Sequence, residues 1–207
     1  DTVINLVGVL YPSGKQSFQN LQVEGARIVA KEAAAAGARS LVHISALGAD
    51  QNSTSAYASS KAQGEEFVLD EFPDAKIIRP SLVFGPEDEF FNRFAALARI
   101  SPVLPLIGGG HNKFQPIYVG DLASAIATVA KNTEIQSTLY ELGGPKTYSF
   151  RELIEITLNH IGRRRLLAPV PFKIAMLQAF FLELFPMSIL TRDQVILLRH
   201  DIALSGT

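Results

Sequence analysis

The chain predicts a doubly wound α/β layer built on a parallel sheet, and three observations carry that expectation. Short apolar runs at 3–8 (VINLVG), 40–44 (SLVHI) and 75–78 (AKII) alternate with stretches of helical periodicity at 17–36 and 54–72. Gly37 and Pro73 stand just past the two helical stretches, where a helix stops. Each interval between apolar runs is long enough for a crossover helix, the connection that parallel strands require. In such sheets ligands lie beyond the carboxyl ends of the strands, and Gly8, Ser45 and Pro80-Ser81 stand at three successive strand ends.

The run 3–8 is continuously apolar and closes on Gly8, which fits a strand buried on both faces. After a loop with Pro12 and Gly14, Phe18, Leu21, Val23, Ala26, Ile28, Val29 and Ala33 recur at helical spacing. The second strand empties at Ser45 into a polar loop, a helix follows over 54–72, and a third strand ends at Arg79-Pro80. Residues 87–100 read as a helix carrying Phe90, Phe91, Phe94 and Leu97, and 101–110 (SPVLPLIGGG) as a Pro/Gly-rich connection in which GGG makes a turn. A strand over 113–119, a helix over 121–130 that Asp121 helps to cap, and a strand over 138–142 follow. Ser149 with Glu152 three residues later is a capping box opening a helix to about residue 161. From Gly162 onward the chain reads as helical and apolar, broken at Pro169, Pro171 and Pro186. The segment 90–94 and the region after Gly144 are expected to shape a substrate side.

Composition bounds the function. Of 207 residues 47% are hydrophobic and 19% charged, enough for a sizeable core. A net charge of -1 excludes a general nucleic-acid binder, which needs a basic excess. The absence of Cys removes disulfides, thiolate metal sites and a cysteine nucleophile. The four His (43, 111, 160, 200) show no metal-ligand spacing, and each is expected to be a surface or hydrogen-bonded loop residue, with no metal site. The chain opens without Met, in an apolar run that lacks a basic n-region. This reads as a cut inside a domain, with a first strand and a glycine-rich phosphate loop expected upstream.

The stretch 45–61 (SALGADQNSTSAYASSK) holds the candidate chemistry. Tyr57 and Lys61, four apart on a helix, share a face. A tyrosine is a poor acid or base near neutrality because its unperturbed pKa is about 10. A nearby ammonium lowers that value and can also hydrogen-bond a ribose. Ser45, at the preceding strand end, can hold a substrate carbonyl. Tyr-x-x-x-Lys alone is more often a surface helix pair worth a few tenths of a kcal/mol. Its place beside a strand end of a parallel sheet is what raises it above that.

Five pieces, VINLVG, VEGARIVAKEAAAAGARSLVHIS, YASSKAQGEEFV, IIRPSLVFGPED and QPIYVGDLASAI, resemble in order and spacing the short-chain dehydrogenase/reductase superfamily, in its extended or atypical branch. Within that branch, the spacing from Ser45 to Tyr57, KAQGEEFV, FGPEDEFFNRFA and TRDQVILLRHDIAL are most similar to the NAD(P)H-binding accessory subunit of respiratory complex I and its bacterial relatives. The resemblance implies a Rossmann-type domain over 1–145, short of its first strands, and a small, mostly helical substrate-side region over 146–207. It implies that Leu6, Val7 and Gly8 line an NADP or NAD cofactor, NADPH being slightly favoured. Tyr57 would be the acid/base, Lys61 its partner and ribose ligand, and Ser45 the donor to a substrate carbonyl. Pro80, Ser81, Leu82 and Val83 would wrap the nicotinamide side, while Gln115–Val119 and Asp121 would form a more structural block. Gln22 stands where extended members usually carry Asn, a departure that bears on an ordinary proton relay.

The function implied is that of a nucleotide-holding accessory subunit, or assembly or stability factor, of NADH:ubiquinone oxidoreductase. The alternative is an active NAD(P)-dependent oxidoreductase or epimerase/dehydratase, on a carbonyl or nucleotide-sugar substrate, using Tyr57 and Lys61; a scaffold with a dead pocket is a third reading. Arg163-Arg164-Arg165 before the apolar stretch 166–190 allows docking of the C-terminal region on a membrane respiratory complex, against the plainer reading of a packed helix with a solvated arginine turn. Lys173, Gln178, Glu183 and Pro186 interrupt that stretch, so no transmembrane span is expected. The location implied is cytoplasmic, peripheral at the inner membrane, on the matrix side in a eukaryote.

Overall fold

A computed structural model describes residues 1–132, 137–184 and 190–204. In chain order these form β1 (Thr2–Asn5), a π-helical segment (Gln19–Glu24) running into α1 (Gly25–Ala35), β2 (Ser40–Ile44), α2 (Ala56–Glu71), β3 (Lys76–Pro80), β4 (Val83–Phe84), α3 (Glu89–Ile100) and β5 (Val103–Ile107). A 3-10 turn at Gly108–Gly110 leads to β6 (Lys113–Phe114), β7 (Ile117–Tyr118), α4 (Val119–Lys131), β8 (Leu139–Leu142), β9 (Tyr148–Ser149) and α5 (Phe150–His160). The described elements end with β10 (Leu166–Val170), α6 (Phe172–Leu182) and α7 (Arg192–Leu197). The break expected at Pro186 lies outside the described residues.

The chain divides into two compact units, the first made of Asp1–Ser81 and Gly120–Leu142, the second of Leu82–Val119 and the chain from Gly143 onward. The first unit is the expected α/β layer: a parallel sheet in the order β1-β2-β3-β8. Successive side chains of a strand face opposite ways, yet Leu41, Val42 and His43 of β2 and Ile77 and Ile78 of β3 are all buried. Both faces of the central strands are therefore covered. On one of them Leu41 and Ile77 pack with Ala26 and Ala30 of α1 and Val68 of α2. Small residues let α1 and α2 lie close to the sheet and to each other.

At Gly64, inside α2, a Cβ would run into the carbonyl oxygen of Gln22 in the π-helical segment. Elsewhere in a helix, Gly→Ala gains about 1 kcal/mol of propensity. Here the overpacking cost, about 1–3 kcal/mol, opposes it and prevails. Gly64→Ala is expected to lower stability, read as a lower urea midpoint at unchanged m-value.

The second unit is built on two-stranded sheets: β4 with β7 and β10 with β5, both parallel, and β6 antiparallel to β9. Phe90 and Phe94 of α3 pack their rings against Phe150 at 5.9 and 5.5 Å, within a core that includes Leu104, Leu106, Phe114 and Leu153. The capping box at Ser149 and Glu152 is present, and a second one at Thr191 and Gln194 opens α7. The chain at 201–204 is tied to β6 by Asp201 Oδ1 accepting from the Lys113 N–H at 2.7 Å and by Ile202 N–H donating to the Lys113 carbonyl. Gln115 closes the same corner, its Oε1 accepting from Leu204 N–H and its Nε2 donating to the Gly144 carbonyl.

Several expectations need correction. The first strand ends at Asn5, because Asn5 turns its side chain back onto the Val7 N–H, so Leu6, Val7 and Gly8 belong to the loop. The helix over 17–36 opens as a π-helical segment, the geometry often found beside functional sites. The supposed connection 101–110 contains β5, and the supposed helical stretch after Gly162 contains β10. Strand 113–119 is two strands with Gln115-Pro116 between them, and α4 begins at Val119, placing Asp121 in its first turn rather than at its cap. Arg165 is no solvated arginine, since its Nε donates to the Ala98 carbonyl at 2.7 Å. β10 separates the arginines from α6, so the basic cluster and the apolar helix are not adjacent in the chain's path. On α6, Ile174, Leu177, Phe180 and Phe181 are exposed. No helix among the described residues is long and apolar enough to cross a membrane.

Candidate functional site

Asn5 is the first polar side chain buried in the sheet, 4% exposed. Its Oδ1 accepts the Val7 N–H at 3.1 Å, and its Nδ2 lies 3.1 Å from Nδ1 of His43 on the neighbouring strand. An amide nitrogen only donates, so Nδ1 accepts and the imidazole proton is assigned to Nε2. Burial, and secondarily the charge of Lys61, pushes the His43 pKa down to about 4, so the ring is neutral near pH 7. His43 is thus a sheet residue, 1% exposed, and not the surface or loop histidine expected. Among the described residues its Nε2 has no hydrogen-bond partner, and neither has the buried Oγ of Ser45 two residues on. Buried polar atoms without partners are uncommon and cost about 1–3 kcal/mol each. Two of them, two residues apart at the end of β2, mark a place that a polar ligand would complete.

α2 begins just past this point. The Ser55 hydroxyl caps it, accepting from Ala58 N–H at 3.2 Å. Tyr57 and Lys61 then fall on one face. Tyr57 is half-buried with its ring edge-on to Phe18, centroids 5.9 Å apart. Lys61 is 5% exposed, and its Nζ donates to the carbonyl of Ile44, the last residue of β2, at 3.2 Å. Burial lowers its pKa to about 8, against an opposing pull from Glu65. A Cβ on Gly8 would stand 3.1 Å from that Nζ, so the β1 exit loop lies directly against the ammonium. The helix is further fixed by Gln22, inside the π-helical segment: its Oε1 accepts from Ser60 Oγ and its Nε2 donates to the Val9 carbonyl, both at 2.6 Å. Gln22 therefore ties the loop after Gly8 to α2.

Lys61 brings Gly8 and the β2 end at Ile44-Ser45 together at one edge of the parallel sheet. Leu6 and Val7 reach that edge as exposed side chains, 66% and 49%. Pro80 and Ser81 stand at the end of β3, where the Pro80 carbonyl accepts the Leu47 N–H and Ser81 N–H donates to the Leu142 carbonyl. Leu82 and Val83 belong to the second unit, where the Leu82 carbonyl accepts from Ile117 N–H and Val83 starts β4. Sequence reasoning missed Asn5, His43 and the buried Glu65–Arg79 pair. The signal available for the first two was a polar residue in the midst of each apolar run, VINLV and LVHI.

A parallel α/β layer with a glycine, a serine and a buried helical lysine at the carboxyl edge of its first strands defines a Rossmann-type fold. The chain belongs to the family described as the RmlD substrate binding domain, which matches residues 13–176. It is 38% identical over 179 residues to NADH dehydrogenase (ubiquinone) 1 alpha subcomplex subunit 9, mitochondrial, of Arabidopsis thaliana, covering 84% of this chain and 44% of the plant protein. It is 30% identical over 173 residues to a ceramide reductase of Caulobacter vibrioides, covering 83% of this chain and 53% of that protein. The chain thus spans about half the length of these relatives. Among solved structures, MoeE5 in complex with UDP-glucose and NAD has the same fold, with a TM-score of 0.70 at 19% identity over 84% of this chain and 66% of MoeE5. The expected likeness to the complex I subunit is thereby met.

Proposed function

We propose that the protein holds a nicotinamide dinucleotide at the carboxyl edge of its parallel sheet and serves as an accessory subunit, or an assembly or stability factor, of NADH:ubiquinone oxidoreductase. The observation that carries the nucleotide-holding role is the Lys61 ammonium, buried against Gly8 with one carbonyl as its hydrogen-bond acceptor. An ammonium has three N–H donors, so two are left to meet ribose hydroxyls. Ser45 Oγ, buried and without a hydrogen-bond partner among the described residues, suits a polar ligand beside it. Leu6, Val7 and Gly8 would lie along the cofactor, as would Pro80 and Ser81 on its nicotinamide side. The dinucleotide would supply redox chemistry, or only structure, and NADPH is taken ahead of NADH. Support for the accessory role is the likeness to the plant complex I subunit. The exposed apolar residues of α6, Ile174, Leu177 and Phe181, would face that complex, placing the protein peripherally at the inner membrane, on the matrix side in a eukaryote and the cytoplasmic side in a bacterium.

A second reading, an active oxidoreductase or epimerase, is favoured by the joint presence of Ser45, Tyr57 and Lys61 and by the likeness to a reductase. In that case Ser45 Oγ would donate to a substrate carbonyl and the Tyr57 hydroxyl would exchange a proton with its oxygen. One experiment separates the two. The full-length protein is titrated with NADPH and NADH, assayed with carbonyl and nucleotide-sugar substrates, and followed through membrane solubilisation. Binding without turnover, together with migration in a respiratory complex, is the expected result. Turnover that Tyr57→Phe abolishes would establish the enzyme reading instead, and failure to bind either dinucleotide would overturn both.

A further inference from the structure

Glu65 stands one helical turn past Lys61 on α2, the spacing at which Lys and Glu on a helix come together. Lys61 nevertheless makes no ion pair among the described residues, because Arg79 has taken the carboxylate. From the end of β3, Arg79 Nε donates to Glu65 Oε1 at 2.8 Å and Nη2 to Oε2 at 2.6 Å, a two-point clamp on a residue only 7% exposed. The remaining arm, Nη1, reaches Glu141 Oε1 of β8 at 3.4 Å. A planar guanidinium fits a carboxylate in this fork-to-fork manner and an ammonium does not. The clamp therefore outcompetes the local helix pairing.

We propose that Arg79 is a positioning residue of the dinucleotide site: by holding Glu65 it keeps that carboxylate off Lys61 and leaves the ammonium's remaining N–H bonds for a cofactor ribose. The inference rests on the nucleotide-holding reading above. The titratable and charged groups around Lys61 are the neutral His43 from β2, Tyr57 and Glu65 on α2 itself, Arg79 from β3, and Glu141 of β8 behind Arg79. From the β1 exit and the π-helical segment come the uncharged Asn5, Gly8 and Gln22, while Glu24 at the end of that segment pairs with Arg27.

Releasing the clamp has a signed consequence. In Arg79→Gln, Glu65 is freed to pair with Lys61, which then binds its proton more tightly and has fewer donors to offer. NADPH affinity at pH 7 falls about tenfold, the loss of one charge-assisted hydrogen bond. In Glu65→Gln the carboxylate that raises the Lys61 pKa is gone, so the proton leaves at lower pH. The double variant Glu65→Gln/Arg79→Gln restores most of the affinity.

The test follows Lys61 by NMR in full-length protein carrying 13C-labelled lysine, without nucleotide, alongside NADPH titrations of the same variants. The Lys61 midpoint is expected to rise in Arg79→Gln and fall in Glu65→Gln, with an intermediate rise in Arg79→Lys, which serves if the glutamine variant does not fold. An ion pair acting on Lys61 through charge alone would leave the midpoint of Arg79→Lys, which keeps the cation, at the parent value; that result, an unmoved midpoint in Arg79→Gln, or shifts in one common direction overturns the clamp. Opposite shifts in a protein that binds no NADPH would uphold the clamp and overturn the nucleotide-holding reading.

Discussion

Acidification from pH 6.5 to pH 4 is expected to remove ~3 kcal/mol of stability through His43 alone. The ring is enclosed in the sheet beside the Lys61 ammonium, and its folded-state pKa falls from 6.5 to about 4, with burial as the larger cause. The sign follows from proton counts. Between pH 4 and pH 6.5 the unfolded chain binds a proton at this site that the folded chain does not, so stability rises with pH across that window and is lost as pH falls through it. Protonation would also force Nδ1 to become a donor against the Asn5 Nδ2 that now donates to it. Urea denaturation at a series of pH values is the measurement, with His43→Leu as the comparison. The variant loses the Asn5 hydrogen bond, about 1 kcal/mol at every pH, but its stability should be flatter across the acid window. An equal acid slope in both proteins would contradict a neutral, buried His43.

Lys61→Met is expected to move stability and binding in opposite directions. The folded pKa of Lys61 is lowered from 10.5 to about 8, so near pH 7 the ammonium is charged in both states and its burial costs the folded one ~3 kcal/mol. Below pH 8 that cost is fully present; as pH rises from about 8 to 10.5 the folded state sheds its proton first and stability increases. Methionine keeps the aliphatic volume and removes the charge, so the variant should be at least as stable as the parent near pH 7. The same change deletes the donors proposed for the ribose. A charge-assisted hydrogen bond is worth about 1.5–3 kcal/mol, or roughly tenfold to a hundredfold in NADPH affinity. A residue retained at a cost to folding is characteristic of a functional position. In the parent, affinity should also decline as pH rises past about 8, where the ammonium is lost.

The parallel sheet was legible because its strands are short apolar runs separated by long helical periods, a pattern that local sequence carries by itself. Lys61 and Tyr57 were legible for the same reason, since four residues on a helix define a face. The second unit was harder. Pro105 in β5 and Pro169 in β10 speak against strands, and these are tolerated because a two-stranded sheet has only edge strands. His43 left a signal, a polar residue inside the apolar run LVHI, but the side chain that meets it there, Asn5, stands thirty-eight residues earlier. The Glu65–Arg79 clamp is likewise a contact between a helix and a strand end that no spacing rule reports. The π-helical segment left no mark beyond Gln22, whose two hydrogen bonds reach Ser60 and Val9. What the sequence withheld are thus the long-range polar pairs that surround Lys61.

A structure of the full-length protein with NADPH bound tests the nucleotide-holding role most directly. The prediction is that Lys61 Nζ meets a ribose hydroxyl within hydrogen-bond distance, beside Gly8, with Glu65 still clamped by Arg79. A dinucleotide seated away from the carboxyl ends of β1 and β2, or a Lys61 that still touches only the Ile44 carbonyl, would contradict it.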